Sequence, residues 1–350
     1  MMKHYILFAF LIILLCGCSK EKQSVETSWM TMGTFASLTL AGESADQLEE
    51  LSEKAVACFE SINDSLSIYN PNSELSRVNI AAGMHPVQMS PASLKAIRLS
   101  LKYAKLSGGC FDPTVAPLVQ LWGFSGGNVP AKIPSDKTIA EMQDRVGYNK
   151  LTLKDNSAFL NQPEMKIDLG GIAKGYAVDL CYEALTNAVS TGMLINLGGN
   201  MRCHGKPNKN RPWRIGVRNP FDGTKTIGSL EMKSGMAVAT SGNYEQFVMI
   251  DEKRHSHLID PRTGRPSRGM AGVTVLSTTA TEADALSTAL FIMGIKGSQT
   301  LLANLPTSEA IFIPDKKPME IWITPGLENI FSPNPEHAEQ VRVIQPMPDI

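Results

Sequence analysis

Asp168-Leu169-Gly170-Gly171-Ile172-Ala173-Lys174-Gly175 joins a carboxylate, a glycine pair and a lysine at what reads as a strand-to-helix junction. Glycine lets the main chain approach a ligand without a clashing Cβ, and the exposed N–H groups and positive dipole of a helix start favour phosphate oxygens. A tight turn with Asp168 as a local cap is the competing reading. Thr281-Glu282-Ala283-Asp284 opens a second predicted helix, with Thr288 one turn beyond Asp284. At i and i+4, Asp284 and Thr288 place two hard oxygen ligands on one face, suited to Mg²⁺ and poor for zinc. Capping accounts equally well for Thr281 and Asp284, because Ser/Thr-x-x-Asp/Glu is a capping-box spacing, but it leaves Thr288 unexplained.

His255-Ser256-His257-Leu258-Ile259-Asp260-Pro261 follows strand alternation, which sets His255 and His257 on one face and Asp260 on the other. A histidine there, beside a turn, is placed for general-base work near neutral pH; a surface histidine is the plainer alternative. Arg262, Arg265 and Arg268 could meet phosphate or form a solvated basic loop. Tyr69 precedes an Asn70-Pro71 turn and a Ser73-capped helical turn, where it could stack on a flat ring or sit in the core. Asp112-Pro113, after Gly109-Cys110-Phe111, could cap a following helix, and Asn196 to Asn200 and Thr240 to Tyr244 read as glycine turns after strands.

These residues need a frame. Trp29 to Leu40 reads as two strands around Met32-Gly33-Thr34, and Ala45 to Ile62 as an amphipathic helix. Ser90-Pro91 starts a helix that Gly108-Gly109 stops. Lys166 to Leu169 reads as a strand end and Lys174 to Ala188 as a helix. Strands follow at Met193 to Asn196, Trp213 to Val217, Met236 to Thr240, Gln246 to Ile250, Ser256 to Ile259 and Ala271 to Ser277. Helices at Glu282 to Met293 and Gly297 to Leu305 precede strands at Ala310 to Ile313 and Glu320 to Ile323, and Ser125 to Ser135 is a Gly/Pro-rich surface loop. Clustered strands with flanking helices indicate an α+β fold, a single two-lobed domain over 29–350 with mixed, largely antiparallel sheets.

The chain has 350 residues, 43% of them hydrophobic, and a formal net charge of -1. That balance gives no electrostatic footprint for nucleic acid, and no GxGxxG follows a strand to support a dinucleotide fold. Lys3 and His4 precede an apolar run, Tyr5 to Leu15, ending in Leu15-Cys16-Gly17-Cys18. This has the layout of a signal peptide over 1–17, and its Leu-x-Gly-Cys ending resembles a bacterial lipobox that leaves Cys18 lipidated. Residues 18–28 then read as a lipidated terminus and polar tether. Cys58, Cys110, Cys181 and Cys203 are too scattered for a disulfide scaffold or a zinc site and are expected as buried free thiols.

In this order the segments resemble the ApbE family, the FAD:protein FMN transferases, formerly labelled thiamine-biosynthesis lipoproteins. Five matches carry the resemblance: Met32-Gly33-Thr34; Ser67-x-Tyr69 through Ser73-Glu74-Leu75 to Asn79; Gly109-x-Phe111-Asp112-Pro113-Thr114; Asp168 to Gly175; and His257-x-Ile259-Asp260-Pro261 followed by the Asp284/Thr288 helix. The resemblance implies FAD as substrate, Mg²⁺ at its pyrophosphate, and transfer of FMN to a Thr or Ser hydroxyl of a target protein with release of AMP. It implies Asp284, Thr288 and the Gly171 carbonyl as metal ligands and His257 as the base. Met32, Tyr69, Cys110, Phe111, Asp112, Asp168, Lys174 and Ile259 follow as FAD contacts, some by main chain. The acceptors it implies are flavin-carrying subunits of membrane redox complexes such as Na⁺-translocating NADH:quinone reductase, with the chain lipid-anchored on the periplasmic side of the inner membrane. A Mg²⁺-dependent FAD pyrophosphatase and a non-catalytic flavin-binding lipoprotein are the alternatives.

Overall fold

Nine strands form the central sheet, in the order Ser24–Thr31, Thr34–Ala41, Gly192–Leu197, Asn200–Gly205, Ala237–Gly242, Met270–Ser277, Glu309–Pro314, Ile321–Ile323 and Val341–Val343. Every neighbouring pair is antiparallel except the last. The structure, a computed structural model, describes residues 24–42, 44–124, 129–208 and 211–344. The expected signal segment, the lipobox Cys18, the first part of the tether and residues 125–128 of the expected loop lie outside the described residues.

Alternation along the strands decides what each sheet face packs against. Ala237, Ala239, Val273, Val275, Ala310 and Phe312 belong to the cluster shared with the helices Ala45–Leu66, Ala173–Leu185 and Ala280–Ala303. Val238, Leu276, Ile311 and Ile313 instead meet a three-stranded sheet of Trp213–Asn219, Asp222–Met232 and Phe331–Pro333. The result is α+β, with largely antiparallel sheets flanked by helices as the sequence implies. Ser44 caps the first helix, accepting the Gln47 N–H at 3.2 Å, and Leu51, Ala55, Phe59, Ile62 and Leu66 form its buried stripe. Cys58, Cys110, Cys181 and Cys203 are all free thiols.

Several elements differ from the sequence reading. The first strand begins at Ser24, inside the expected tether, because Val25, Thr27 and Trp29 alternate inward against the following strand. Lys166 to Leu169 is extended but is no strand; a single bridge joins Lys166 to Val115. Asn79 supplies the missing pairing, accepting the Ile167 N–H at 2.7 Å and donating to the Ile167 carbonyl at 3.0 Å. The strand expected over Ser256 to Ile259 is broken into Lys253–Ser256 and Ile259–Asp260, with His257 and Leu258 between them. Asn200–Gly205 and Asp222–Met232 are strands that the polar residues and Gly223 concealed.

The helices Ala173–Leu185 and Ala280–Ala303 approach closely at Gly175, where a Cβ would overlap the Ala280 carbonyl oxygen and sit 2.8 Å from the Asp284 Cβ. Gly175 therefore serves helix packing, not approach to a ligand. One turn on, Asp179 accepts from the Ala280 N–H at 2.8 Å, the Thr281 N–H at 2.8 Å and the Thr281 hydroxyl at 2.5 Å, and pairs with Arg202 at 2.8 Å. The true N-cap of the second helix is Thr279, which accepts the Glu282 N–H at 3.2 Å, so the helix is capped two residues before the position the sequence suggested. Alanine at position 175 would gain about 1 kcal/mol in helix propensity. The overlap should outweigh that gain, since overpacking costs about 1–3 kcal/mol. Gly175→Ala is expected to lower the thermal midpoint, and an unchanged or raised midpoint in a thermal melt would remove this account.

Candidate active site

Two chain segments lie side by side to form one wall of the site. The Asp168 N–H donates to the Pro113 carbonyl at 2.8 Å, which fixes 109–114 against 166–171. Asp112 does not cap a helix: its Oδ1 accepts the Thr114 N–H at 2.7 Å and the Thr114 hydroxyl at 2.6 Å, and its Oδ2 accepts the Tyr148 N–H at 2.8 Å. Its side chain is thus occupied in holding the turn, and Cys110 and Phe111 are buried beside it. Burial also pushes the Cys110 thiol up, away from the reactive thiolate form. Cys110, Phe111 and Asp112 can therefore offer a ligand only their backbone, and the same holds for Ile259, which is buried among Trp122, Ile139 and Val248.

Above this wall the accessible side chains are Tyr69, Asp168 and Lys174. Tyr69 is 72% exposed, so the core reading fails and its ring face is free. Desolvation and the nearby Asp168 charge both push its phenol up, which keeps it neutral. Asp168 Oδ1 accepts the Gly170 N–H at 2.8 Å, the local turn expected of it, and burial pushes its carboxyl up. A hairpin tip completes this side. Met32 and Gly33 both have positive φ, 48° and 70°, the two-residue turn that matches strand twist. Methionine at the first of these positions is unusual, because a side chain is disfavoured in that region. Gly198 and Gly199 make a second such turn, and a Cβ on Gly198 would press to 2.7 Å from the Thr34 hydroxyl. The glycines at 198–199 therefore seat the hairpin tip.

The second wall is the helix Ala280–Ala303. Asp284 is buried, and its Oδ2 accepts the Gly175 N–H at 2.9 Å across the helix contact. It thus caps the other helix, and one N–H expected to face phosphate already faces a carboxylate. Among the described residues no hydrogen bond reaches Oδ1. Burial pushes the Asp284 carboxyl up, opposed by the charge of Lys174 and the Gly175 N–H. One turn on, Thr288 is half-buried, and a Cβ on Gly171 would lie 3.2 Å from its hydroxyl oxygen. Thr288 and Gly171 thus lie side by side, with Asp284 one turn before Thr288 on the same helix. Among the described residues no group of three or more His, Cys, Asp or Glu is arranged to hold a metal. A donor set of one carboxylate, one hydroxyl and one carbonyl fits Mg²⁺, which completes its shell with water and substrate phosphates.

His257 faces the same region. Its Nδ1 lies 3.0 Å from the Gln246 carbonyl, which holds the Nδ1–H tautomer and leaves Nε2 as the acceptor. Desolvation pushes the imidazole down, the Gln246 carbonyl opposes this, and Lys174 adds to the fall. Lys174 acts on Asp284, Glu245 and His257 together, which puts one cation among the groups the sequence had listed apart. The strand ends at Ser256, so the expected alternation does not reach His257; His255 packs against Trp122 at 5.5 Å and His257 lies edge-on to Phe124 at 6.4 Å between ring centroids. Arg262 is bound by Asp260 at 2.8 Å and Arg265 is paired with Asp136, so each guanidinium already has a carboxylate partner. Gln246 and Asp179 are positioning residues that sequence reasoning missed, since neither stands in a motif of chemical residues.

Comparison with known proteins covers most of the described chain. A model of the ApbE family matches residues 32–312. The FAD:protein FMN transferase of Vibrio cholerae is 32% identical over 296 residues, 84% of this chain and 88% of that protein. That of Haemophilus influenzae is 34% identical over 289 residues, 80% of this chain and 84% of that protein. Among solved structures, the flavin transferase ApbE from Vibrio cholerae superposes with a TM-score of 0.79 at 30% identity, covering 88% of this chain and 99% of that one. The ApbE protein of Thermotoga maritima gives 0.77 at 31% identity, covering 85% and 96%.

The electrostatics of His257 can be read without substrate. In an NMR titration its midpoint is expected below the ordinary histidine value of about 6.5. Lys174→Gln should move that midpoint upward, because it removes a charge that disfavours the imidazolium. A midpoint at or above the ordinary value, or no movement in the variant, would contradict the arrangement.

Proposed function

From the premise that the chain belongs to the ApbE family, we propose that it transfers the FMN half of FAD to a Thr or Ser hydroxyl of a target protein, releasing AMP. The observation that carries this reading is the held tautomer of His257, which leaves Nε2 as the acceptor, while the lowered pKa keeps the ring neutral and so available as a base at neutral pH. A protein that only bound flavin would have no use for it.

In the proposed reaction the exposed ring of Tyr69 stacks on the isoalloxazine, and Asp168 accepts a hydrogen bond from the ligand. The backbone at Cys110, Phe111, Asp112 and Ile259, together with Met32, lines the rest of the cleft. Lys174 lies near the pyrophosphate. The acceptor hydroxyl donates to His257 Nε2 and its oxygen attacks the FMN phosphorus. A new O–P bond forms as the bridging P–O bond breaks, AMP leaves with the bond's electron pair, and the proton rests on His257. Gln246 stabilises the resulting imidazolium through Nδ1. Asp284, Thr288 and the Gly171 carbonyl would hold Mg²⁺, which when bound supplies charge withdrawal from the pyrophosphate. Phosphoryl transfer depends mostly on such positioning, and a base adds roughly 10²–10⁴-fold.

The lipobox at Cys18 supports a lipid anchor, and the proposed setting is the periplasmic side of the inner membrane. Proposed acceptors are flavin-carrying subunits of membrane redox complexes, Na⁺-translocating NADH:quinone reductase among them.

The test uses the soluble body with FAD, Mg²⁺ and a candidate acceptor domain, read by intact mass. A gain equal to FMN that EDTA abolishes is expected. FAD consumed to free FMN, with no gain on several acceptors, would replace transfer by hydrolysis. His257→Ala should keep FAD binding and lose transfer by roughly 10²–10⁴-fold, whereas Asp284→Ala should lose Mg²⁺-dependent turnover. A fully active variant of either kind would withdraw the role given to that residue.

A further inference from the structure

A serine on the neighbouring strand decides which way the hydroxyl of Thr288 points. Side-chain hydroxyls within helices usually donate to the carbonyl three or four residues back. Ser287 does so, donating to the Asp284 carbonyl at 2.9 Å. Thr288 does not; the partner the structure gives it is Ser241 Oγ, at 3.4 Å, on the strand Ala237–Gly242. Ser241 Oγ in turn lies 2.8 Å from Ser287 Oγ. Each hydroxyl has one proton, and the row ends on a carbonyl that can only accept. The Ser287 proton goes to Asp284, so the Ser241 proton goes to Ser287 and the Thr288 proton goes to Ser241. The direction of the row is fixed by its last member.

We propose that Ser241 is a positioning residue for cation binding: by accepting the Thr288 proton it turns the Thr288 lone pairs toward the Asp284 and Gly171 oxygens. This rests on the metal site proposed above. A hydroxyl free to rotate can aim its proton at a cation, which repels it, whereas one anchored to an acceptor presents lone pairs alone. Ser241 and Ser287 are both buried, 8% and 0% exposed, so solvent does not compete for the row. Ser241 meets the helix because it alternates onto the same sheet face as Ala237 and Ala239, opposite Val273 near the end of the antiparallel pairing of 237–242 with 272–277.

The experiment measures metal binding directly, by Mn²⁺ paramagnetic resonance and by Mg²⁺ titration calorimetry on FAD-loaded protein. Supporting groups around a metal ligand typically account for about tenfold or more in metal affinity. Ser241→Ala is expected to weaken binding about tenfold, to raise the Mg²⁺ concentration for half-maximal transfer in proportion, and to lower kcat at saturating Mg²⁺ far less. Ser287→Ala breaks the row at its far end, freeing the Ser241 proton to turn toward Thr288, and should weaken binding in the same direction. FAD affinity in EDTA and the thermal midpoint of the metal-free protein should stay near those of the parent. Unchanged metal affinity in both variants would overturn the proposal, as would a loss matched by equal losses in metal-free FAD affinity and thermal midpoint. If the parent protein itself binds neither Mn²⁺ nor Mg²⁺ with FAD present, the metal site fails and the inference goes with it.

Discussion

The close contact between the helices 173–185 and 280–303 fixes the geometry of everything around it. Gly175 has no side chain because the Ala280 carbonyl occupies that space. The contact brings the Asp284 carboxylate to the Gly175 N–H, and Asp179 holds the same junction from the other side through the Ala280 and Thr281 N–H groups. Two helix starts therefore exchange carboxylates, each acid placed at the positive end of the other helix, where negative charge is stabilised. The exchange sets the angle at which Thr288 faces Gly171, because Gly171 lies just before the first helix and Thr288 two turns into the second.

Around that contact the site divides into residues that present side chains and residues that present backbone. Tyr69 is exposed and Asp168, Lys174, His257 and Thr288 are partly exposed, whereas Cys110, Phe111, Asp112 and Ile259 are buried. Backbone contacts tolerate changes of side chain as long as the turn survives. The turn at 109–114 survives through Asp112, whose carboxylate satisfies Thr114 and Tyr148 together. Asp112 is thus indispensable to the cleft without facing it, and Asn79 does the same for the opposite segment by standing in for a strand at Ile167.

Local rules made much of this legible in the sequence. Periodicity located the helices at 45–66 and 91–106 and most sheet strands, and Asp284 and Thr288 do lie one turn apart on a single helix. What the sequence hid depends on partners far along the chain. Nothing near Asp179 announces that it pairs with Arg202 and caps a helix a hundred residues later. Thr279, not Thr281, caps that helix, because Thr281 is drawn to Asp179 instead. The strands 200–205 and 222–232 escaped because their polar residues face outward or toward turns, so pattern alone read them as loop.

The charge balance of the cleft also constrains how a cation can bind there. Asp284 is the one carboxylate of the proposed donor set, and the Gly175 N–H and Lys174 already offset its charge. Mg²⁺ loses its water reluctantly and relies on one or two carboxylates plus substrate phosphates. Under the proposed chemistry, with one carboxylate in that donor set, the pyrophosphate itself supplies much of the attraction for a divalent ion. In that proposal metal and FAD would be coupled ligands, each raising the affinity for the other by the same factor. Under the proposed chemistry, the protein is weakly charged toward Mg²⁺ until FAD arrives. The charge that the reaction must neutralise is the same charge that recruits the ion.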